Sequence, residues 1–177
     1  MADDHDHALI LDRLPSGIWR VDPGGSEVVF TARALFGLLP VHGLFERFRG
    51  ELRAGPDGTT SGELRIEAAS IQTRLARRDR SLRGPGYFDT ARYPQLTFEL
   101  ERLAPGGHQQ LDVTGTLAVC GRQIQLHFQA QAIAHGDHLH VEGQVLVDHD
   151  LAGLGWARPG LVSKRVLAAA ALTLRRA

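Results

Sequence analysis

The chain has 177 residues, 43% of them hydrophobic, with 20 basic and 20 acidic side chains in formal balance. That length supports one substantial core, whereas two domains would each be small, and the charge balance leaves no summed positive field of the kind that draws a nucleic acid partner. Cys120 is the single cysteine, which excludes an internal disulfide and any zinc centre built on several cysteines.

The chain starts Met1-Ala2-Asp3-Asp4-His5-Asp6-His7, without the basic start and apolar stretch of a secretory leader, so a cytoplasmic location is expected. Residues 1–16 are expected to form a flexible tail ahead of one domain over residues 17–177. From Ser26 the pattern alternates, with Ser26, Val28, Phe30, Ala32, Ala34 and Phe36 on one face and Glu27, Thr31 and Arg33 on the other. That period marks a strand with one wet and one dry face. Similar stretches follow at residues 42–53, 62–69, 95–102, 111–119, 123–133, 139–148 and 164–175, about eight strands in all. Gly55-Pro56-Asp57-Gly58, Pro105-Gly106-Gly107, Cys120-Gly121-Arg122 and Gly136-Asp137 are turn clusters at hairpin distances, so consecutive strands run antiparallel. Residues 71–83 have the spacing of a short helix, and residues 151–161 read as a loop containing Gly and Pro. The longest apolar run, residues 166–174, lies between Arg165 and Arg175 and has about half the length of a membrane-crossing helix, so no membrane span is expected.

Eight antiparallel strands with one apolar face build either a sandwich or a closed barrel, and closure alone removes the unpaired edges. Strands of roughly ten residues are about 33 Å long, and an eight-stranded barrel can hold one small ligand. The inward faces combine Phe30, Phe98, Leu126, Phe128 and Val145 with Ala32, Ala34, Ala68, Gly115, Ala130, Gly143, Ala168 and Ala170. Such small residues do not fill a barrel of that width, and an empty apolar cavity is costly. Either larger neighbours or an apolar ligand must occupy the space.

Several stretches carry a family resemblance. They are Trp19-Arg20-Val21-Asp22, Ser26-Glu27-Val28-Val29-Phe30, Val41-His42-Gly43-Leu44-Phe45 and Phe48-Arg49-Gly50, followed by Ala69-Ser70-Ile71-Gln72-Thr73 and Arg78-Asp79-Arg80-Ser81-Leu82-Arg83. Tyr87-Phe88-Asp89-Thr90-Ala91-Arg92-Tyr93-Pro94 and Gly115-Thr116-Leu117-Ala118-Val119-Cys120-Gly121 continue the series, which ends in residues 147–156. In this order the stretches resemble the YceI family of lipid-binding barrels over about residues 17–175. The resemblance implies an all-β fold, an eight-stranded antiparallel lipocalin-like barrel with one short helix between strands. It also implies a long internal pocket for a polyisoprenoid, an isoprenoid quinone or a fatty-acid-like amphiphile. Each buried methylene contributes about 0.8 kcal/mol, so a five-carbon unit contributes roughly 3–4 kcal/mol.

The residues expected to line the pocket are Phe30, Ala32, Ala34, Phe36, Phe45, Ala68, Leu82, Phe88, Phe98, Leu117, Leu126, Phe128, Val145 and Trp156. Arg78, Arg83 and Tyr87 are candidate head-group contacts, since guanidinium binds anionic oxygens bidentately. The competing reading of the arginines is a solvated face, with Arg78 and Asp79 tying the helix to the barrel. The sequence departs from the family pattern at three places: Gly25-Ser26 replaces His-Ser, Ser81 replaces a histidine, and Ala152-Gly153 replaces Phe-Gly. Each change removes a ring or an imidazole near elements that could shape the pocket.

His138, His140 and Glu142 share a strand face opposite Leu139 and Val141, so they are expected to point outward, and no metal site is assigned. Cys120 precedes a turn glycine, Asp148 and Asp150 flank a loop, and neither a serine elbow nor a Gly-rich phosphate loop occurs. No catalytic residue and no cofactor is assigned. The expected partner is an apolar small molecule, and the sequence is compatible with a homodimer. The leading reading is a binding or carrier protein, with the bacterial origin of the family it resembles. The alternative is an enzyme that uses the same pocket to fold or cyclise a hydrophobic substrate such as a polyketide or polyene.

Overall fold

The computed structural model describes residues 14–34, 38–107, 110–148, 150–152 and 164–177. The strands are β1 (Gly17–Val21), β2 (Glu27–Ala34), β3 (Leu39–Phe45), β4 (Phe48–Ala54), β5 (Thr60–Glu67), β6 (Ile71–Gln72), β7 (Gln95–Gly107), β8 (Gln110–Val119), β9 (Arg122–His135), β10 (His138–Asp148) and β11 (Arg165–Arg176). One helix, α1 (Ala76–Arg83), lies between β6 and β7. Eight strands close a ring in the order β1, β4, β5, β7, β8, β9, β10, β11 and back to β1, all pairs antiparallel. The alternation left sandwich and barrel both open, and the β1–β11 pairing decides for the barrel. β2, β3 and β6 extend the sheet beyond one end of the ring, β2 pairing with β11 and β3 with both β2 and β6.

β1 lies outside the stretches whose alternation predicts strands, yet it closes the ring. Trp19 pairs with Leu52 on one side and with Arg176 on the other. Five residues give periodicity little room to show, and pairing on both edges fixes the conformation. The single strand expected over residues 42–53 is two strands, because its halves serve different neighbours. β3 runs with β2 and β6, while β4 runs with β1 and β5. At the break the Glu46 N–H donates to the Ser70 carbonyl at 3.2 Å and the Arg47 N–H to Ser70 Oγ at 3.1 Å, so the backbone polar groups stay satisfied.

Two expected hairpin turns are formed as two-residue loops, Cys120-Gly121 between Val119 and Arg122, and Gly136-Asp137 between His135 and His138. Cys120 and Gly121 have φ of 48° and 74°, the pair of positive angles that matches the twist of a tight hairpin. Pro105-Gly106-Gly107, expected as a turn, belongs to β7 instead, in a stretch with register shifts between Leu100 and Arg102 and between Pro105 and Gly107. Irregular pairing of this sort tolerates a proline that a regular ladder would not. The helix expected over residues 71–83 is confined to α1, since Ile71 and Gln72 pair with β3.

The interior contains two sealed zones. At the end carrying α1, here the cap end, Phe30, Phe45 and Phe88 form a ring triad with centroids 5.8, 5.9 and 6.4 Å apart. Ala68, Ile71, Leu82 and Ala152 are buried with them. At the opposite, hairpin end, Trp19, Leu52, Leu111, Val113, Ala132, Leu139 and Leu174 form a second buried cluster. Among the described residues, no helix is long and apolar enough to cross a membrane.

Candidate ligand-binding site

Between the two sealed zones the inward side chains change character. Leu64, Phe98, Leu117, Phe128, Val145, Ala168, Ala170 and Leu172 point into the barrel but are only half-buried. They border a cavity of about 230 Å³, lined almost wholly by apolar side chains from β5, β7, β8, β9, β10 and β11, with Leu14 and β1 at one end. An apolar wall that stays accessible from inside is the setting in which a hydrocarbon gains most from burial.

Five of the fourteen residues expected to line the pocket border this cavity: Phe98, Leu117, Leu126, Phe128 and Val145. Phe30, Ala32, Phe45, Ala68, Leu82 and Phe88 belong to the buried core of the cap end, and Ala34 is half-buried in β2 opposite Leu39. Phe36 and Trp156 lie outside the described residues. The alternation places all of these residues indoors without revealing that the aromatic triad closes one end. Conversely, Leu64, Leu100, Leu103, Leu111, Val113 and Leu172 border the cavity without having been singled out. Their inward position in period-two strands was the signal available.

The small inward residues divide by what faces them. A Cβ at residue 43 would lie 2.2 Å from the Phe30 ring, at residue 115 it would lie 2.5 Å from the Phe98 ring, and at residue 143 it would lie 3.0 Å from the Phe128 ring. These glycines therefore make room for aromatic rings rather than for a ligand. Ala168, Ala170 and Ala130 do border the cavity, whereas Ala32 and Ala68 pack in the cap core.

The candidate head-group arginines have structural partners. Arg78 donates from Nε to Thr73 Oγ1 at 2.7 Å and from Nη2 to the Thr73 carbonyl at 2.8 Å. Arg83 donates to the Ile71 carbonyl at 2.8 Å. The buried Asp79 carboxylate accepts from the Thr73 N–H at 2.8 Å and from Thr73 Oγ1 at 2.5 Å. Together these bonds hold the segment before α1 against the helix, and Tyr87 packs against the cap core. Neither guanidinium borders the cavity.

His140 lies on the exposed face of β10, with Nδ1 3.1 Å from Thr173 Oγ1, and His138 Nδ1 lies 2.7 Å from Asp137. No group of three or more His, Cys, Asp or Glu suited to a metal occurs among the described residues. Glu51 and Glu63 adjoin the cavity, but their carboxylates turn outward, Glu51 to Arg53 and Arg20, Glu63 to Arg65.

Among the described residues, one place where the barrel wall is interrupted beside the cavity lies between β9 and β10. β9 and β10 are paired from His135–His138 to Ala130–Gly143, and there the ladder stops. From that point toward the cap end the two strands have no pairing with each other, although β9 continues in register with β8 and β10 with β11. Phe128 and Leu126 on β9 and Gly143, Gln144 and Val145 on β10 flank the interruption and border the cavity.

A model of the YceI-like domain matches residues 19–174. The chain belongs to the YceI-like family. Protein YceI from Escherichia coli O157:H7 is 28% identical over 122 residues, covering 67% of this chain and 63% of that protein. The Shigella flexneri Protein YceI is 27% identical over the same shares. The matched stretch thus spans less than two thirds of the length of these YceI relatives. Among solved structures, Burkholderia cenocepacia BcnA superposes with a TM-score of 0.80 at 23% identity, covering 86% of this chain and 98% of that one. A polyisoprenoid binding domain from Saccharophagus degradans, implicated in plant cell wall breakdown, gives 0.74 at 18% identity, covering 90% and 98%. At these identities the likeness shows the YceI-like barrel fold.

The three departures from the family pattern can now be located. Ser81 is exposed on α1, its hydroxyl donating to the Arg77 carbonyl at 3.1 Å, and Gly25 is exposed beside Thr173. Neither borders the cavity. Ala152 is fully buried in the cap core, so its change from a ring bears on how that end is filled.

Proposed function

We propose that this YceI-like barrel binds and carries one long apolar small molecule, a polyisoprenoid, an isoprenoid quinone or a fatty-acid-like amphiphile. The observation that carries this reading is the stretch of inward, half-buried apolar side chains between two sealed cores, where Phe98, Phe128 and Val145 keep accessible surface facing a cavity. The name of the Saccharophagus degradans structure, a polyisoprenoid binding domain, supports the ligand class. Several buried five-carbon units, at roughly 3–4 kcal/mol each, would offset the cost of immobilising a flexible chain. The test is native mass spectrometry of protein purified without detergent, followed by organic extraction. A bound mass that extracts into organic solvent is expected. Recovery of empty protein, with no binding from a panel of prenols, quinones and fatty acids, would overturn the reading.

A further inference from the structure

A ligand that fills a barrel must have a way through its wall. At the cap end the Phe30, Phe45 and Phe88 rings are buried against one another, and at the hairpin end Trp19 and Leu139 are 1% and 0% exposed. We propose, building on the binding function above, that the interruption between β9 and β10 is the lateral mouth through which the apolar ligand enters and leaves.

Three observations converge on it. First, the ladder ends at Ala130–Gly143 while both strands remain paired on their other edges, so the opening is local and its flanks are held. Second, the cavity reaches it, because Phe128 on one flank and Val145 on the other are half-buried cavity residues. Third, the outside of the flanks offers both polar and apolar contacts, with His127 and Gln129 exposed on β9 and Gln144 exposed on β10 beside Leu146, which is 56% exposed. The unpaired backbone N–H and C=O groups at such edges need partners. Water supplies them at a mouth, where it could not in a sealed wall. A hydrocarbon tail can lie between Phe128 and Val145 while its polar end stays among these amides and edge groups.

The mouth can be sealed covalently. Gln129 and Gln144 are the positions immediately beyond the last pair of the ladder. In a Cys120→Ser background, Gln129→Cys with Gln144→Cys is oxidised, or bridged with a short bismaleimide where the thiols do not pair directly. The control is Thr116→Cys with Gln125→Cys, which lie opposite each other in the intact β8–β9 ladder. Uptake and release of parinaric acid, a fluorescent polyene fatty acid, are followed by stopped flow. Sealing the mouth is expected to slow both rates at least ten-fold, reduction of the disulfide to restore them, and the control bridge to leave them unchanged. Equal rates in sealed and open protein would overturn the mouth while leaving the binding function intact. If the unsealed protein takes up neither this probe nor any member of the panel above, the binding function falls, and the mouth with it.

Discussion

Gly115 and Phe98 approach so closely across β7 and β8 that a Cβ on residue 115 would sit 2.5 Å from Cζ of the ring and 2.4 Å from the Glu99 carbonyl oxygen. The ring can swing away, but the backbone oxygen cannot do so without distorting the ladder. Gly115→Ala is therefore expected to destabilise the barrel by about 1–3 kcal/mol, the usual range for overpacking. Urea unfolding monitored by tryptophan fluorescence measures this, and an unchanged midpoint would show that the two strands give way freely.

Ala170 offers the opposite change. It faces Gly143 across β10 and β11 and borders the cavity half-buried. Ala170→Phe places a ring in the space assigned to the ligand, so affinity for a polyene or prenol probe is expected to fall at least ten-fold, about 1.4 kcal/mol. Stability should hold or rise, because filling an apolar cavity reverses the cost of leaving one. An affinity equal to that of the parent protein would place the ligand elsewhere.

Asp79 anchors the cap end. Its carboxylate accepts from both the N–H and the hydroxyl of Thr73 while Arg78 holds the same threonine from the other side. Asp79→Ala leaves a buried N–H and a buried hydroxyl without their acceptor, an expected loss of about 1–3 kcal/mol. Hydrogen exchange should show the loss concentrated in α1 and the segment before it. Uniform loosening of all strands would contradict a local anchor.

Cys120 has its thiol pushed up, first by burial and then by the negative charge of Asp89. A raised thiol holds its proton in the folded state, so less thiolate is available near neutral pH than in a free cysteine. Iodoacetamide is expected to label the folded protein several-fold more slowly than the urea-unfolded chain at pH 8. The same shift means that stability is fully present below the ordinary thiol range, around pH 8.5, and declines as pH rises through the raised value. Labelling rates equal in the two states would refute the shielding.

The strands with long alternating faces were legible in the chain, and so were the hairpins that join them. Residues such as Val113, Leu126, Leu139 and Val145 announce their side of the wall by period two alone, because each strand is wet on one face. The order of β8, β9 and β10 was legible too, since tight turns at Cys120-Gly121 and Gly136-Asp137 force neighbours in sequence to be neighbours in space. The family motifs supplied the barrel class. What alternation cannot encode is depth along the barrel axis. Phe30 and Phe98 have the same pattern around them, yet Phe30 meets Phe45 and Phe88 in a sealed end while Phe98 faces the cavity.

Inwardness, then, was set by sequence, through the chemical difference between adjacent side chains. Closure, the split of residues 42–53 into β3 and β4, and the gap between β9 and β10 were set only in three dimensions. Each depends on where strands meet or part away from the turns that join them, as when Val21 meets Leu174 or when the ladder stops at Gly143. The identity of a side chain decides whether it seeks the interior. Whether it finds a ring, a neighbouring backbone or open space there is decided by its partners across the barrel.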